Sequence, residues 1–145
     1  MKRDTTEKAC ERGLAFVVFT GEADLKWLRI LKPGFRHCFA VLETQGRWVI
    51  YNPLSHHTEI MVLDGLTALA LIERFRARGD RVVPWRLTRV DKKPAPFGVY
   101  TCVEALKRVL GIHARRVVTP WNLFKFLKNK KIGKKPLTSV KILIN

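Results

Sequence analysis

Two strand-like runs on either side of a short polar turn place the strongest constraint on how this chain can fold. Residues 35–43 (FRHCFAVLE) and 47–54 (RWVIYNPL) are rich in β-branched and aromatic side chains, and Thr44-Gln45-Gly46 separates them. Apolar runs of this length around a glycine-containing turn are typical of an antiparallel hairpin. We therefore predict a sheet built on this hairpin, in which polar residues of the two strands lie close together.

Further periodic segments predict the elements around the hairpin. Apolar runs at 13–20 and 59–63 predict two more strands, and a run at 81–90 predicts another, which Pro84 bends or confines to an edge. A last apolar stretch at 140–144 predicts an edge strand. Helices are predicted after Asp24, between Asp64 and Gly79 with Leu66, Leu69, Ile72 and Phe75 inward, from Thr101 to Gly111, and from Thr119-Pro120 onward.

A length of 145 residues is about that of one domain, and the order of these elements sets its class. We predict an α+β domain over residues 1–145, with an antiparallel β-sheet or half-barrel packed against three or four helices.

The charge of the chain is strongly basic and uneven. Lys and Arg number 28 against 12 Asp and Glu, for a net charge of +16, and ten of these charges fall in residues 102–145. This balance excludes an acidic disordered chain and predicts a polyanionic partner, which could be nucleic acid, an anionic membrane surface or an anionic cell wall. The basic C-terminal segment, about 129–145, is the predicted contact, with a merely solvated basic face as the alternative.

Compartment and cofactor use follow from what the sequence lacks. No run approaches the roughly 18 consecutive apolar residues of a membrane-spanning helix, and the polar N-terminus does not resemble a signal peptide. Cys10, Cys38 and Cys102 are widely spaced and form no CxxC pair. We therefore expect a protein made in the cytoplasm, with no transmembrane segment, no disulfide scaffold, no metal site and no cofactor.

The tetrapeptide Thr101-Cys102-Val103-Glu104 carries the clearest chemical signal. It fits the capping box S/T-x-x-E, which places Cys102 at the first position of a helix. The helix macrodipole favours a thiolate there, and the free N–H groups of the first turn can stabilise an oxyanion. Glu104 and Arg108 are predicted to form an exposed i,i+4 pair. The alternative is that Cys102 is a small core residue near a helix start.

A nucleophilic thiol needs a base and an acceptor that orients the base. His37 lies in an otherwise apolar strand, where an unpaired imidazole is costly, and Asn52 would lie near it across the hairpin. Cys38 follows His37 but is predicted to point to the opposite face of the sheet, which makes it a poor partner. Together Cys102, His37 and Asn52 match the roles of a Cys/His/polar triad. The alternatives are a structural His37 and an Asn52 that serves only the turn at Pro53.

These residues resemble a known superfamily. The pairing of GFRHCFAVL with RWVIYNP resembles the His-strand and Asp/Asn-strand hairpin of papain-like and transglutaminase-like folds. The block YTCVEALKRVLGI followed by TPWNLFKFL is similar to the nucleophile helix of the circularly permuted members, among them the permuted NlpC-like cell-wall peptidases and the lecithin retinol acyltransferase-like proteins. In these members the His strand precedes the Cys helix, as it does here.

The resemblance covers residues 13–128 and implies roles for three residues. Cys102 would be the nucleophile, His37 the general base and acid, and Asn52 the orienting residue. The chain departs from the pattern of many members at Val103, where a Ser or Ala follows the Cys, and at Asn52, where a second His stands. Its only Gln, Gln45, lies in the predicted turn, so no clear upstream Gln is present to donate to an oxyanion.

Two functions from different classes follow. The first is a cysteine hydrolase, a peptidase or amidase that cleaves a peptide or peptidoglycan-like amide through a Cys102 acyl-enzyme; transfer to an amine would use the same residues. The second is a non-catalytic basic structural protein on a papain-like scaffold, such as a virion component near DNA within a larger complex. The chain also looks like cysteine peptidase-like proteins of phages and prophages, which would be carried in the virion. Aromatic residues among the lysines of 121–131 support the second function, although Leu123, Phe124 and Leu127 recur at core spacing.

Overall fold

The computed structural model describes residues 13–23, 25–87, 94 and 99–130, and these form an α+β arrangement. The sheet is antiparallel and has the order β4-β3-β2-β1-β5. Its strands are β1 Leu14–Thr20, β2 His37–Thr44, β3 Arg47–Pro53, β4 Thr58–Leu63 and β5 Arg81–Arg86. The helices are α1 Ala68–Ala77, α2 Cys102–Leu110 and α3 Pro120–Asn129, with a 3-10 helix at Lys26–Ile30. The predicted class, an antiparallel sheet with helices packed on it, is confirmed.

The central hairpin has a two-residue turn. Thr44 pairs with Arg47, and the residues between them, Gln45 and Gly46, have φ angles of 50° and 74°. Positive φ at both turn positions suits the twist of a tight hairpin, and Gly46 adopts it without steric cost. This turn fixes the register that brings the end of β3 beside the start of β2.

Side chains alternate between two apolar layers on opposite faces of the sheet. Odd-numbered residues of β1, such as Val17 and Phe19, pack with α2 and α3, whereas Phe16 and Val18 pack with α1. Because β1 is covered on both faces, its sequence is continuously apolar rather than alternating. Each large side chain buried in these layers contributes about 1.5–3 kcal/mol, which holds α2 firmly against β2.

The caps of α2 and α3 follow the predicted signals. Thr101 Oγ1 accepts from the Glu104 N–H at 3.3 Å, and Thr119 Oγ1 accepts from the Asn122 N–H at 3.2 Å. Gly111 ends α2 with a φ of 68°. These side chains satisfy backbone groups that the first turn leaves without partners, so both helices begin where the sequence placed them.

Two details of α1 differ from the prediction. The helix is capped by Thr67, whose hydroxyl accepts from the Ala70 N–H, so it begins at Ala68 rather than near Asp64, whose carboxylate lies 3.2 Å from Arg47 Nε. Leu69 is largely exposed, and Leu71 is buried beside Phe75 instead.

The remaining predictions concern an edge strand, the segment after Asp24 and residues outside the described ranges. Pro84 lies in β5, which is an edge strand, as its missing N–H requires. The region after Asp24 forms the short 3-10 helix, in which no residue is buried. The strand at 140–144, most of the basic C-terminal segment and Cys10 lie outside the described residues.

Candidate active site

The candidate nucleophile stands at the first position of α2. Cys102 follows the N-cap Thr101 and is partly exposed. The helix is anchored from behind by Val103, Leu106 and Leu110, which are buried against the sheet. The sulfur therefore lies at the positive end of a helix whose position is set by core packing.

The candidate base and its orienting residue are joined by a short hydrogen bond. His37 is the first residue of β2, Asn52 lies near the end of β3, and His37 Nε2 is 2.7 Å from Asn52 Oδ1. An amide oxygen can only accept, so Nε2 carries the proton and donates it. This assignment leaves the other ring nitrogen, Nδ1, for the bond between His37 and the Cys102 thiol.

The environment of Cys102 favours the thiolate. A hydrogen bond from the Cys38 thiol is the largest cause that lowers the Cys102 pKa, from 9.0 to about 5. A hydrogen bond from His37, its charge and the Cys38 backbone N–H also lower this pKa, whereas burial opposes them. The residues predicted as Cys102, His37 and Asn52 are thus brought together in one cluster.

Cys38 points to the opposite face of the sheet from His37, as predicted, but it contacts the candidate nucleophile. Its Sγ lies 3.7 Å from the Sγ of Cys102, and its side chain is fully buried on the face covered by α2. Alternation does separate His37 from Cys38, since the His37 ring stacks on Phe39 of the other layer. However, α2 covers the face of the sheet to which Cys38 points. His37 reaches the Cys102 thiol because it is the first residue of β2.

Glu59 is a site residue that the sequence analysis did not single out. Asn52 Nδ2 donates to Glu59 Oε2 at 2.9 Å, and the other oxygen, Oε1, lies 3.7 Å from His57 Nε2. Asn52 and Glu59 are direct partners in the β3–β4 register. The sequence did contain a signal for Glu59, because the strand predicted at 59–63 follows β3 in the meander and its start would lie opposite the end of β3. The carboxylate fixes which way the Asn52 amide faces and so keeps Oδ1 toward His37.

Two tyrosines beside the triad form a second polar contact. The hydroxyls of Tyr51 and Tyr100 are 3.2 Å apart, and the Arg108 guanidinium lies 5.4 Å from the centre of the Tyr100 ring. Burial and then the hydrogen bond with Tyr100 raise the pKa of Tyr51 to about 12, against the opposing charge of Arg108. The Tyr51 hydroxyl therefore remains protonated in neutral solution.

Arg108 does not pair with Glu104 as predicted. Glu104 forms its ion pair with Lys107, which is buried and also donates to the Val117 carbonyl at 3.1 Å. Glu104 and Lys107 are three positions apart, a spacing that also places side chains together on a helix. The hydrogen bond from Lys107 to the Val117 carbonyl ties α2 to the connection that follows it.

The aromatic residues of α3 contribute to the core. Phe35 lies 4.8 Å from Trp121 and 4.9 Å from Phe124, as measured between ring centres. Lys32 lies over the Trp121 ring at 3.3 Å from its centre. These ring faces are thus occupied by protein groups rather than arranged as a platform for nucleobases.

Neither a metal centre nor a membrane span is found in the described part of the chain. No group of three or more His, Cys, Asp or Glu side chains there is placed to hold an ion. None of its helices has both the length and the apolar character needed to cross a bilayer.

No protein-family model matches the chain, and no curated protein and no solved structure gives a significant match. Function is therefore inferred from the geometry and chemistry of these residues.

Proposed function

We propose that the protein is a cysteine hydrolase of the circularly permuted papain-like type, which cleaves an amide through an acyl-enzyme on Cys102. One observation carries the proposal: a thiol with a lowered pKa stands at a helix N-terminus, bonded to a histidine that Asn52 holds at 2.7 Å. An antiparallel sheet whose histidine strand precedes the cysteine helix is consistent with the permuted order.

The acylation step uses each group once. The Cys102 thiolate attacks the carbonyl carbon, and a sulfur–carbon bond forms as the carbonyl oxygen becomes an oxyanion. His37 holds the former thiol proton on Nδ1 and delivers it to the leaving nitrogen, and the carbon–nitrogen bond breaks as the carbonyl reforms. Asn52 holds the ring in the orientation that this transfer requires.

Backbone donors at the start of α2 supply the oxyanion site. The Glu104 N–H is used by the Thr101 cap, and the Ala105 N–H bonds the Thr101 carbonyl. The N–H groups of Cys102 and Val103 are the first-turn donors that remain for a substrate oxygen. No glutamine side chain is then needed.

In deacylation His37 acts as a base rather than as an acid. His37 removes a proton from water, the resulting hydroxide attacks the thioester, and the Cys102 thiolate leaves. The substrate class, a peptide or peptidoglycan-like amide, comes from the resemblance. An amine in place of water would give transglutaminase-like transfer from the same intermediate.

Intact-mass analysis during turnover tests the proposal. The chain is incubated with peptide amides and with stem-peptide fragments of peptidoglycan, and we expect an acyl adduct on Cys102 together with released amine. Cys102→Ala should show neither, and His37→Ala should lower kcat by about 100-fold or more. Glu73→Ala, an exposed position on α1, is the matched control with unchanged turnover. Equal cleavage by Cys102→Ala and the wild type, or the absence of any acyl adduct on the wild type, would contradict the proposed function.

A further inference from the structure

A second thiol touches the candidate nucleophile. Cys38 Sγ and Cys102 Sγ are 3.7 Å apart, one on β2 and the other at the start of α2. Amide hydrolysis requires only one sulfur, so the mechanism above makes no covalent use of Cys38. Two thiols in contact can, however, exchange bonds with an oxidant.

We propose that Cys38 and Cys102 form a reversible redox pair, in which a peroxide oxidises Cys102 and Cys38 converts the product to an intramolecular disulfide. A disulfide requires sulfurs about 2 Å apart, so closing the bond needs a local shift of less than 2 Å from the observed contact. The disulfide rests on this sulfur geometry alone.

The oxidation consists of two balanced steps. The Cys102 thiolate attacks a peroxide oxygen; the sulfur–oxygen bond forms, the oxygen–oxygen bond breaks, and hydroxide leaves with the electron pair. The Cys38 sulfur then attacks the Cys102 sulfenic acid; the sulfur–sulfur bond forms, the sulfur–oxygen bond breaks, and the Cys38 proton leaves with the hydroxyl as water. An external dithiol then reduces the Cys38–Cys102 disulfide to two thiols.

Exposure decides which sulfur reacts first. Cys102 is partly exposed, whereas Cys38 is fully buried. Cys102 also carries the lowered pKa, and oxidation follows the accessible thiolate. Cys102 is therefore the peroxidatic sulfur and Cys38 the resolving one.

Oxidation of Cys102 prepares Cys38 for its step. Burial is the largest cause that raises the Cys38 pKa, followed by its hydrogen bond to Cys102 and the negative charge there. A sulfenic acid carries no such charge, so the Coulombic cause disappears on oxidation and the thiolate bond is lost. Cys38 then becomes easier to ionise at the moment its attack is needed.

The disulfide would also stop hydrolysis, because it consumes the nucleophile. That consequence depends on the proposed function, whereas disulfide formation does not. The disulfide would then protect Cys102 from irreversible oxidation, and its reduction would regenerate the Cys102 thiol.

Peroxide titration of the full chain tests the redox pair. Cys10→Ser removes the third thiol, and this variant is treated with an equimolar amount of hydrogen peroxide. We expect a mass loss of two hydrogen atoms, a cross-linked peptide that joins Cys38 to Cys102, and full reversal by dithiothreitol. In Cys10→Ser with Cys38→Ser, whose hydroxyl can still donate to the thiolate, we expect dimedone to trap a Cys102 sulfenic acid at least tenfold more.

One outcome would overturn the pair even if the double variant fails to fold. In Cys10→Ser alone, dimedone-labelled or over-oxidised Cys102 beside a free Cys38 thiol would show that the second sulfur does not resolve the first. Amide turnover is followed separately under reducing conditions. A disulfide without turnover would refute the proposed hydrolase and leave the redox pair intact.

Discussion

At the scale of single residues, the unusual feature is the number of groups that act on the Cys102 sulfur. The Cys38 thiol, the His37 ring and the Cys38 backbone N–H all favour its ionised form. The helix N-terminus adds to these donors. The charge of the sulfur is therefore set by tertiary contacts as well as by its helix position.

Removing the Cys38 donor should weaken this effect. Cys38→Ala should raise the Cys102 pKa, so that the alkylation rate begins to rise at a higher pH, because the largest lowering cause is lost. Cys38→Ser keeps a donor and should retain most of the effect. The measurement is the pH dependence of iodoacetamide labelling at Cys102, and identical profiles for wild type and Cys38→Ala would contradict it.

Glu59 should act on the reaction through Asn52. Loss of the carboxylate in Glu59→Ala frees the Asn52 amide to turn, and we expect kcat to fall about tenfold with KM unchanged, because the base is misplaced rather than removed. Glu59→Gln keeps an acceptor oxygen for Asn52 and should restore most of kcat. A rise in KM alone, or no rescue by glutamine, would argue against a positioning role.

The sequence predicted that Cys102, His37 and Asn52 lie together, but it predicted less about the residues around them. Cys102 was found from a local capping signal, and His37 and Asn52 from a hairpin with an unambiguous turn. The contact of Cys38 with the site depends on which sheet face α2 covers, and that of Glu59 depends on the register of β4. Tertiary packing, rather than neighbouring residues in the sequence, sets the covered face and the register.

At the scale of elements, buried contacts fix the position of α2. Lys107 is buried, bonds both Glu104 and the Val117 carbonyl, and so joins the helix to the chain that leads into α3. The sequence predicted the caps of this helix, because capping is local. It did not predict Lys107, because Lys107 and Arg108 lie at the i+3 and i+4 positions and both can reach Glu104 on an isolated helix.

Truncation of this lysine should destabilise the protein. Lys107→Ala leaves a shielded Glu104 carboxylate and the Val117 carbonyl without their partner, and we expect a loss of about 3 kcal/mol in the free energy of unfolding. Lys26→Ala, at an exposed position of the 3-10 helix, is the control with a change within about 0.5 kcal/mol. Urea denaturation measures both, and equal midpoints would contradict the structural role.

At the scale of the whole molecule, the net charge of +16 stands apart from the chemistry. The candidate catalytic residues lie in two strands and at a helix start, whereas most of the excess charge follows Cys102 in the sequence. The α3 aromatics that suggested stacking on nucleobases pack on Phe35 instead. A polyanion would therefore be met by charge rather than by aromatic stacking.

Charge-driven binding has a distinct salt dependence. If six phosphates are neutralised, duplex DNA affinity should fall about 1,000-fold between 50 and 200 mM salt. Cys102→Ser should bind as the wild type does, because the thiol takes no part. Fluorescence anisotropy measures this binding, and the absence of binding at low salt, or a flat response, would remove nucleic acid as a partner.

The pH dependence of Cys102 alkylation in the folded chain tests the central claim most directly. The rate should rise through a midpoint at pH about 5, and in the urea-denatured chain the same residue should show a midpoint of about 8.5. At pH 6 the larger thiolate fraction, offset by the lower nucleophilicity of a weaker base, should leave the folded residue about 8-fold faster than an ordinary thiol. A folded-state midpoint of about 8.5, unchanged by His37→Ala, would contradict the assignment of Cys102 as an activated nucleophile.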